Sequence, residues 1–154
     1  MVVVLLVSIL INNMIEFFTE DVSLPDFSQD SVSNWLNQVC ASEDKILNEV
    51  NIIFCSDEHL LKMNVDHLEH DYYTDIITFD YCFDNQIIGD LFISVDRVSD
   101  NANINKELFF SELSRVMVHG VLHLCGFKDK SSEEATLMRS KENHYLSLYV
   151  PRET

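Results

Sequence analysis

The chain has 154 residues, 47% of them apolar, which is enough for one domain with its own core and no need of disulfide staples. Its formal net charge of −16 falls entirely on residues 1–96, where eighteen acids face only Lys45 and Lys62, while residues 97–154 carry eight acids and eight bases. That balance argues against strong non-specific binding along RNA or DNA phosphates, yet leaves room for a local site in the neutral part.

Residues 1–11 are almost wholly apolar. They are too few to span a bilayer, which takes about twenty, and they lack the basic flank and cleavage site of a secretory signal. Residues 1–13 are therefore read as an extension outside the natural protein, which would start at Met14, in preference to an extra strand. Residues 15–18 read as a short strand before a polar loop with Pro25. Asp30 or Ser31 is placed to cap a helix reaching residue 41, with Val32, Trp35, Leu36 and Val39 on its apolar side. The β-branched and aromatic run 49–55 is a strand. Ser56 then offers an N-cap, with Asp57 and Glu58 suited to the first turn of a helix carrying Leu60, Leu61 and Met63.

Residues 74–81 and 87–95 read as two strands joined by a turn at Asp84 and Asn85. Gly89 within the second points to a bulge or a close backbone approach. Asp96 is the expected cap of a helix to about residue 102. A long apolar helix follows over 107–125, and the last, to about 148, opens with a capping box of Ser131 and Glu134. The order β-α-β-α-β-β-α-α-α, without repeat or linker, predicts one α+β domain over residues 14–150, with a small mixed sheet of about four strands packed with helices. The four cysteines (Cys40, Cys55, Cys82, Cys125) form no C-x-x-C pair and lie in apolar or mixed runs. They read as free thiols in a reducing, cytoplasmic setting.

The long helix carries the chemistry. His119 and His123 stand four residues apart, on one face, in a helix whose other residues are mostly apolar. Buried imidazoles sharing a face need a polar partner, and a metal ion serves both. Gly126 and Asp129 follow in the His-x3-His-x2-Gly-x2-ligand layout of metzincin zinc sites. Gly126 can take a left-handed conformation that ends the helix and turns Asp129 back toward the histidines. His119, His123 and Asp129 are thus the expected ligands of one zinc, with a fourth position left open for water. Glu142 and His144, on the last helix, are the alternatives to Asp129. The glutamate that follows the first histidine in H-E-x-x-H peptidases is Gly120 here, so that route to peptide hydrolysis lacks its base. A glycine inside a helix costs about 1 kcal/mol relative to alanine, so something is expected to approach the helix at Gly120.

The sequence His119-Gly120-Val121-Leu122-His123-Leu124-Cys125-Gly126-Phe127 resembles the HGxLHLxGYDH signature of the YbeY family of rRNA-maturation endoribonucleases. Thr74-Asp75-Ile76-Ile77-Thr78-Phe79 resembles the family's TDVLSF strand, and Gly89-Asp90-Leu91-Phe92-Ile93 its GDIVIS strand. The resemblance covers roughly residues 14–148. It implies a single-domain, metalloprotease-like (zincin-like) α+β fold with one zinc, acting as a single-strand-specific endoribonuclease in 3′-end maturation of small-subunit rRNA and in ribosome quality control. It also implies rRNA and the small ribosomal subunit as partners.

Two departures stand out. The family's third histidine is Asp129 here, preceded by Phe127 and Lys128; aspartate is a competent zinc ligand, though a harder donor that leans toward manganese. The basic residue that the family carries between Asn64 and Thr74 is also missing, and Leu68 stands at the matching place. Lys128, Lys130, Arg97 and Arg139 are the remaining candidates for RNA contact. Asp90 and Glu112 are the carboxylates expected to steady a ligand imidazole. Two other readings stay open. One is a ribosome-assembly factor with a structural zinc whose acidic half meets a basic ribosomal protein. The other is a small metallopeptidase. Neither membrane nor DNA is an expected partner.

Overall fold

The computed structural model describes residues 15–148; the reading of 1–13 as an extension lies outside them. The described residues form four strands, β1 (Ile15–Thr19), β2 (Ile46–Cys55), β3 (Ile76–Asp80) and β4 (Gln86–Ser94), and five helices, in the order β-α-β-α-β-β-α-α-α. The helices are α1 (Gln29–Ser42), α2 (Asp57–Leu68), α3 (Val95–Asn105), α4 (Phe109–Leu124) and α5 (Ser132–Leu148). The strands form one mixed sheet in the order β1-β2-β4-β3: β1, β2 and β4 run parallel, and β3 pairs antiparallel with β4 at the edge. This is the expected α+β architecture. No helix among the described residues is long and apolar enough to cross a membrane.

Alternation along the strands divides the interior in two. On one face Val50, Ile52 and Phe54 of β2, with Ile87, Leu91 and Ile93 of β4, meet α1, α4 and α5 in the main core around Trp35, Leu36, Met117 and Leu122. On the other, Cys55, Ile77 and Leu60 of α2 form a smaller cluster with Met63, Phe79 and Phe92. The Trp35 indole N–H donates to the Tyr145 carbonyl at 3.2 Å, tying α1 to α5. The same pair of helices is joined where Glu43, after α1, accepts from Lys141 Nζ at 2.9 Å and from the Tyr145 hydroxyl.

Local chemistry sets most boundaries. Ser28 caps α1 two or three residues earlier than expected, and Ser56 caps α2 as expected. Ser94 rather than Asp96 caps α3, because β4 runs directly into that helix; Asp96 instead accepts from the Asp57 backbone N–H at 2.9 Å. Lys106 takes a left-handed conformation (φ 56°), so α4 starts at Phe109 rather than at 107. Both halves of the Ser131–Glu134 capping box are made, at 2.9 and 3.1 Å. Gly89 sits in regular β2–β4 register, so it marks a close approach and not a bulge; the irregularity lies in β2 between Leu47 and Glu49.

Helix α4 is the pillar of the fold. Apart from Phe109, the residues it does not bury are Ser111, Arg115, His119 and His123, spaced four apart. Apart from Glu112 and Ser114 the buried residues are apolar or glycine, so the helix must lie inside the molecule, and this single polar stripe is its one accessible face. Gly120 lets it lie close on the sheet: a Cβ there would come within 2.7 Å of Ile76 Cδ1 and 2.9 Å of Leu91 Cδ1.

Candidate metal centre

The stripe positions two imidazoles, and the turn after it supplies a carboxylate. Gly126, at φ +105°, is in the left-handed region that favours glycine. The Gly126 N–H donates to the His123 carbonyl at 3.0 Å and the Phe127 N–H to the Leu122 carbonyl at 3.0 Å, so the chain folds back over the end of α4. Asp129 is thereby returned to the histidines. His119 Nε2 and His123 Nε2 lie 3.0 Å apart, and Asp129 Oδ2 lies 3.3 and 3.2 Å from them.

The opposite edge of each imidazole is fixed. His123 Nδ1 stands 2.9 Å from the Phe127 carbonyl, and His119 Nδ1 stands 2.8 Å from Glu142 Oε2. A carbonyl and a carboxylate only accept, so in the neutral form of each ring the hydrogen sits on Nδ1 and Nε2 presents a bare lone pair. Three acceptors then converge at 3.0–3.3 Å with no hydrogen among them. Only positive charge relieves that arrangement: an added proton or a metal cation.

The titration of His119 reflects the same demand. Burial works against its charged form, but the Glu142 hydrogen bond and the charges of Glu142, Asp129 and Asp75 outweigh burial and raise it above the ordinary imidazole value. Three donors around a zinc at 2.0–2.2 Å would span about 3.3 Å, so the triangle fits a small divalent ion with little rearrangement. The donor set, two imidazoles and one carboxylate, matches zinc and also harder ions such as manganese.

Around the triad, burial opposes the Glu142 carboxylate, yet bonds from His119 and Arg115 hold it below the usual range. Arg115 Nη1 donates to Glu142 Oε1 at 2.9 Å, and Arg139 Nη1 lies 3.6 Å from the same oxygen. Burial pushes both Asp75 and Glu112 above the usual carboxylate range. Two cavities meet at His119 and Asp129. The larger, about 680 Å³, runs along β3 and the end of α2, with His123, Lys128 and Lys130 also on its walls. The smaller, about 280 Å³, is lined by Asp75, Glu112, Arg115, Arg139 and Glu142.

His119, His123 and Asp129 are thus brought together, with Lys128 and Arg139 on the walls of the adjoining cavities. Two other candidates lie elsewhere. Asp90 lies on the sheet face turned away from α4, where it accepts from Asn51 Nδ2 at 3.0 Å; the neighbouring Gly89 is the residue that faces Leu124. Arg97 is bound to Asp57 at 2.6 Å, with its guanidinium 5.2 Å from the centre of the Tyr73 ring, and lines neither cavity. His144 is exposed on α5 and belongs to neither cavity. Glu142 acts on His119 from behind, away from the converging Nε2 atoms. Sequence reasoning missed Arg115, although it stands on the histidine stripe four residues before His119. It also missed the Phe127 carbonyl, for which no side-chain signal exists.

A protein-family model described as Endoribonuclease YbeY matches residues 14–150. The Endoribonuclease YbeY of Phocaeicola vulgatus is 47% identical over 135 residues, covering 88% of this chain and 98% of that protein. That of Cytophaga hutchinsonii is 50% identical over 133 residues, covering 86% and 93%. Among solved structures, the solution structure of a Thermotoga maritima protein shares the fold with a TM-score of 0.59 and 24% identity, over 88% of this chain and 91% of that one.

Proposed function

The chain belongs to the YbeY family of endoribonucleases, and from that premise we propose a zinc-dependent, single-strand-specific enzyme. It would act in the cytoplasm on the 3′ end of small-subunit rRNA, through one domain over residues 14–150. The observation that carries the metal dependence is the triangle of three bare acceptors at 3.0–3.3 Å. His119, His123 and Asp129 would hold the ion. When bound, the ion supplies Lewis acidity, activating a water or ribose hydroxyl and neutralising charge at a phosphodiester.

The remaining work falls to the chain itself. Glu142 and the Phe127 carbonyl keep the hydrogens on Nδ1, which leaves both Nε2 atoms free to ligate. Arg115 and Arg139 balance the Glu142 charge behind the site. Lys128 and Lys130 place positive charge on the wall of the large cavity, where an RNA backbone would run. The peptidase reading meets a steric obstacle beyond the missing base. The space beside Gly120 is filled by Ile76 and Leu91, so even a substituted glutamate would collide with the sheet.

The test is cleavage of a 3′-extended precursor rRNA by the zinc-loaded protein, with a chelator control and with His123→Ala. Cleavage that disappears in both controls is the expected result. Binding of the precursor or of a basic ribosomal protein without any cleavage would instead favour an assembly factor with a structural zinc. Cleavage that persists undiminished in the metal-free variant would overturn the metal's role.

A further inference from the structure

The segment after α2 builds a second feature in the large cavity. Leu68, His70 and Tyr72 line it together with His119 and His123. The His70 and Tyr72 rings are stacked, with centroids 5.2 Å apart and planes 20° from parallel, and Tyr72 Oη lies 3.1 Å from His70 Nδ1. This pair is held from below. Asn64, only 2% exposed, donates its side-chain amide to the Tyr72 carbonyl at 2.9 Å, while its main-chain carbonyl accepts the His70 N–H at 3.0 Å. Glu69 takes a left-handed conformation (φ 56°) that turns the chain between α2 and the rings. One buried residue thus pins both ring-bearing backbones, Tyr72 through its side chain and His70 through its main-chain carbonyl, yet Tyr72 stays 56% exposed.

The surrounding charge decides what such a surface can take. Residues 65–73 contain Asp66, Glu69 and Asp71 and no lysine or arginine, so this segment repels phosphate. A base carries a π face and no charge, and stacking on histidine or tyrosine is the common way to hold an unpaired one. Lys128 and Lys130, on the same cavity, are available to the backbone of the same strand.

We propose that the stacked His70–Tyr72 pair is a platform for an unpaired RNA base flanking the scissile phosphate, a binding subsite that takes the place of direct phosphate contact by this segment. The proposal rests on the endoribonuclease reading. It assigns Tyr72 a positioning role and predicts little preference among the four bases, since each offers a face to stack.

The experiment uses the zinc-loaded full-length protein and a single-stranded 2′-O-methyl RNA heptamer carrying 2-aminopurine, whose fluorescence is quenched on stacking. Tyr72→Ala is expected to weaken binding about tenfold and to abolish the quenching, with zinc content unchanged; Tyr72→Phe keeps both. With unmodified RNA, Tyr72→Ala should raise KM and leave kcat nearly unchanged. Should Tyr72→Ala lose its fold by circular dichroism, His70→Ala carries the same expectation, because it removes the ring beneath. Parental affinity and quenching in a folded Tyr72→Ala, while the parent protein cleaves RNA, would overturn the platform and leave the nuclease reading standing. Tyr72-dependent quenching without cleavage would overturn the nuclease reading and keep the subsite. A parent protein that neither binds nor cleaves would overturn both.

Discussion

Replacing Glu142 by glutamine separates the orientation of His119 from its proposed role as a ligand. Glu142, 4% exposed, accepts from His119 Nδ1 at 2.8 Å through one oxygen and from Arg115 at 2.9 Å through the other. Glutamine keeps the shape but offers one acceptor and one donor. If its oxygen stays on His119, its amide nitrogen faces the Arg115 guanidinium. If it flips, the His119 hydrogen is driven to Nε2, the atom that must remain bare. Loss of such a supporting partner costs a metal site about 10- to 100-fold in affinity, or about 1.4–2.7 kcal/mol. A buried partner left unpaired costs a further ~1–3 kcal/mol of folding stability, toward the low end here because the Arg115 side chain keeps 26% of its surface in water. Zinc affinity is read by competition with a chromophoric chelator, and stability by thermal unfolding of the zinc-free protein. The expected result is weaker binding by at least about tenfold, still at one zinc per chain. Equal affinity in Glu142→Gln and the parent would refute the argument that Glu142 sets the His119 tautomer, and a lower Tm with intact affinity would leave Glu142 a packing role only.

Three further outcomes follow from the same geometry. Asp129→Ala removes the only anionic member of the triad and should weaken zinc binding strongly, while Asp129→His should restore it; calorimetric titration of both variants decides the point, and an unaffected alanine variant would dismiss Asp129 as a ligand. Gly126→Ala forces a side chain onto φ +105° and should cost more than about 1 kcal/mol in urea unfolding, with weaker zinc binding because residues 127–129 shift. Glu43 gives a pH test away from the metal. Burial works against its charge, but its bonds from Tyr145 and Lys141 prevail and hold the carboxyl below its ordinary value of 4.5. A depressed carboxyl contributes stability that is complete above the unfolded value and lost as pH falls through the folded one. Urea midpoints of the parent and Glu43→Gln should therefore converge below pH 4.5 and separate above it; parallel curves would contradict the assignment.

The order of elements was legible because each strand and helix announces itself through its own periodicity and caps, as Ser56 and the Ser131–Glu134 box do. The strand order was not, since placing β4 between β2 and β3 depends on contacts between residues far apart in the chain. The same division holds in the site. His119, His123, Gly126 and Asp129 fall within eleven consecutive residues, so their convergence follows from helical spacing and one left-handed turn. Glu142 reaches His119 only because α5 packs back along α4, a tertiary fact with no sequence period. Asp90 misled because a carboxylate in a strand of matching sequence says nothing of which face it occupies; alternation put it opposite Gly89. The ion pair of Arg97 with Asp57 was not legible either, because it joins α3 to α2 across residues far apart in the chain.

The placement of Glu142 also makes the candidate site depend on a helix that supplies none of its three donor atoms. The donor atoms come from α4 and the turn after it, but the carboxylate that commits His119 to one tautomer arrives on α5, which is held by Glu43 and Trp35 of the α1 region. Docking of α5 on α4 is therefore part of building the site: the three candidate donors converge without it, but the group that holds His119 in one tautomer does not reach them until the two helices pack.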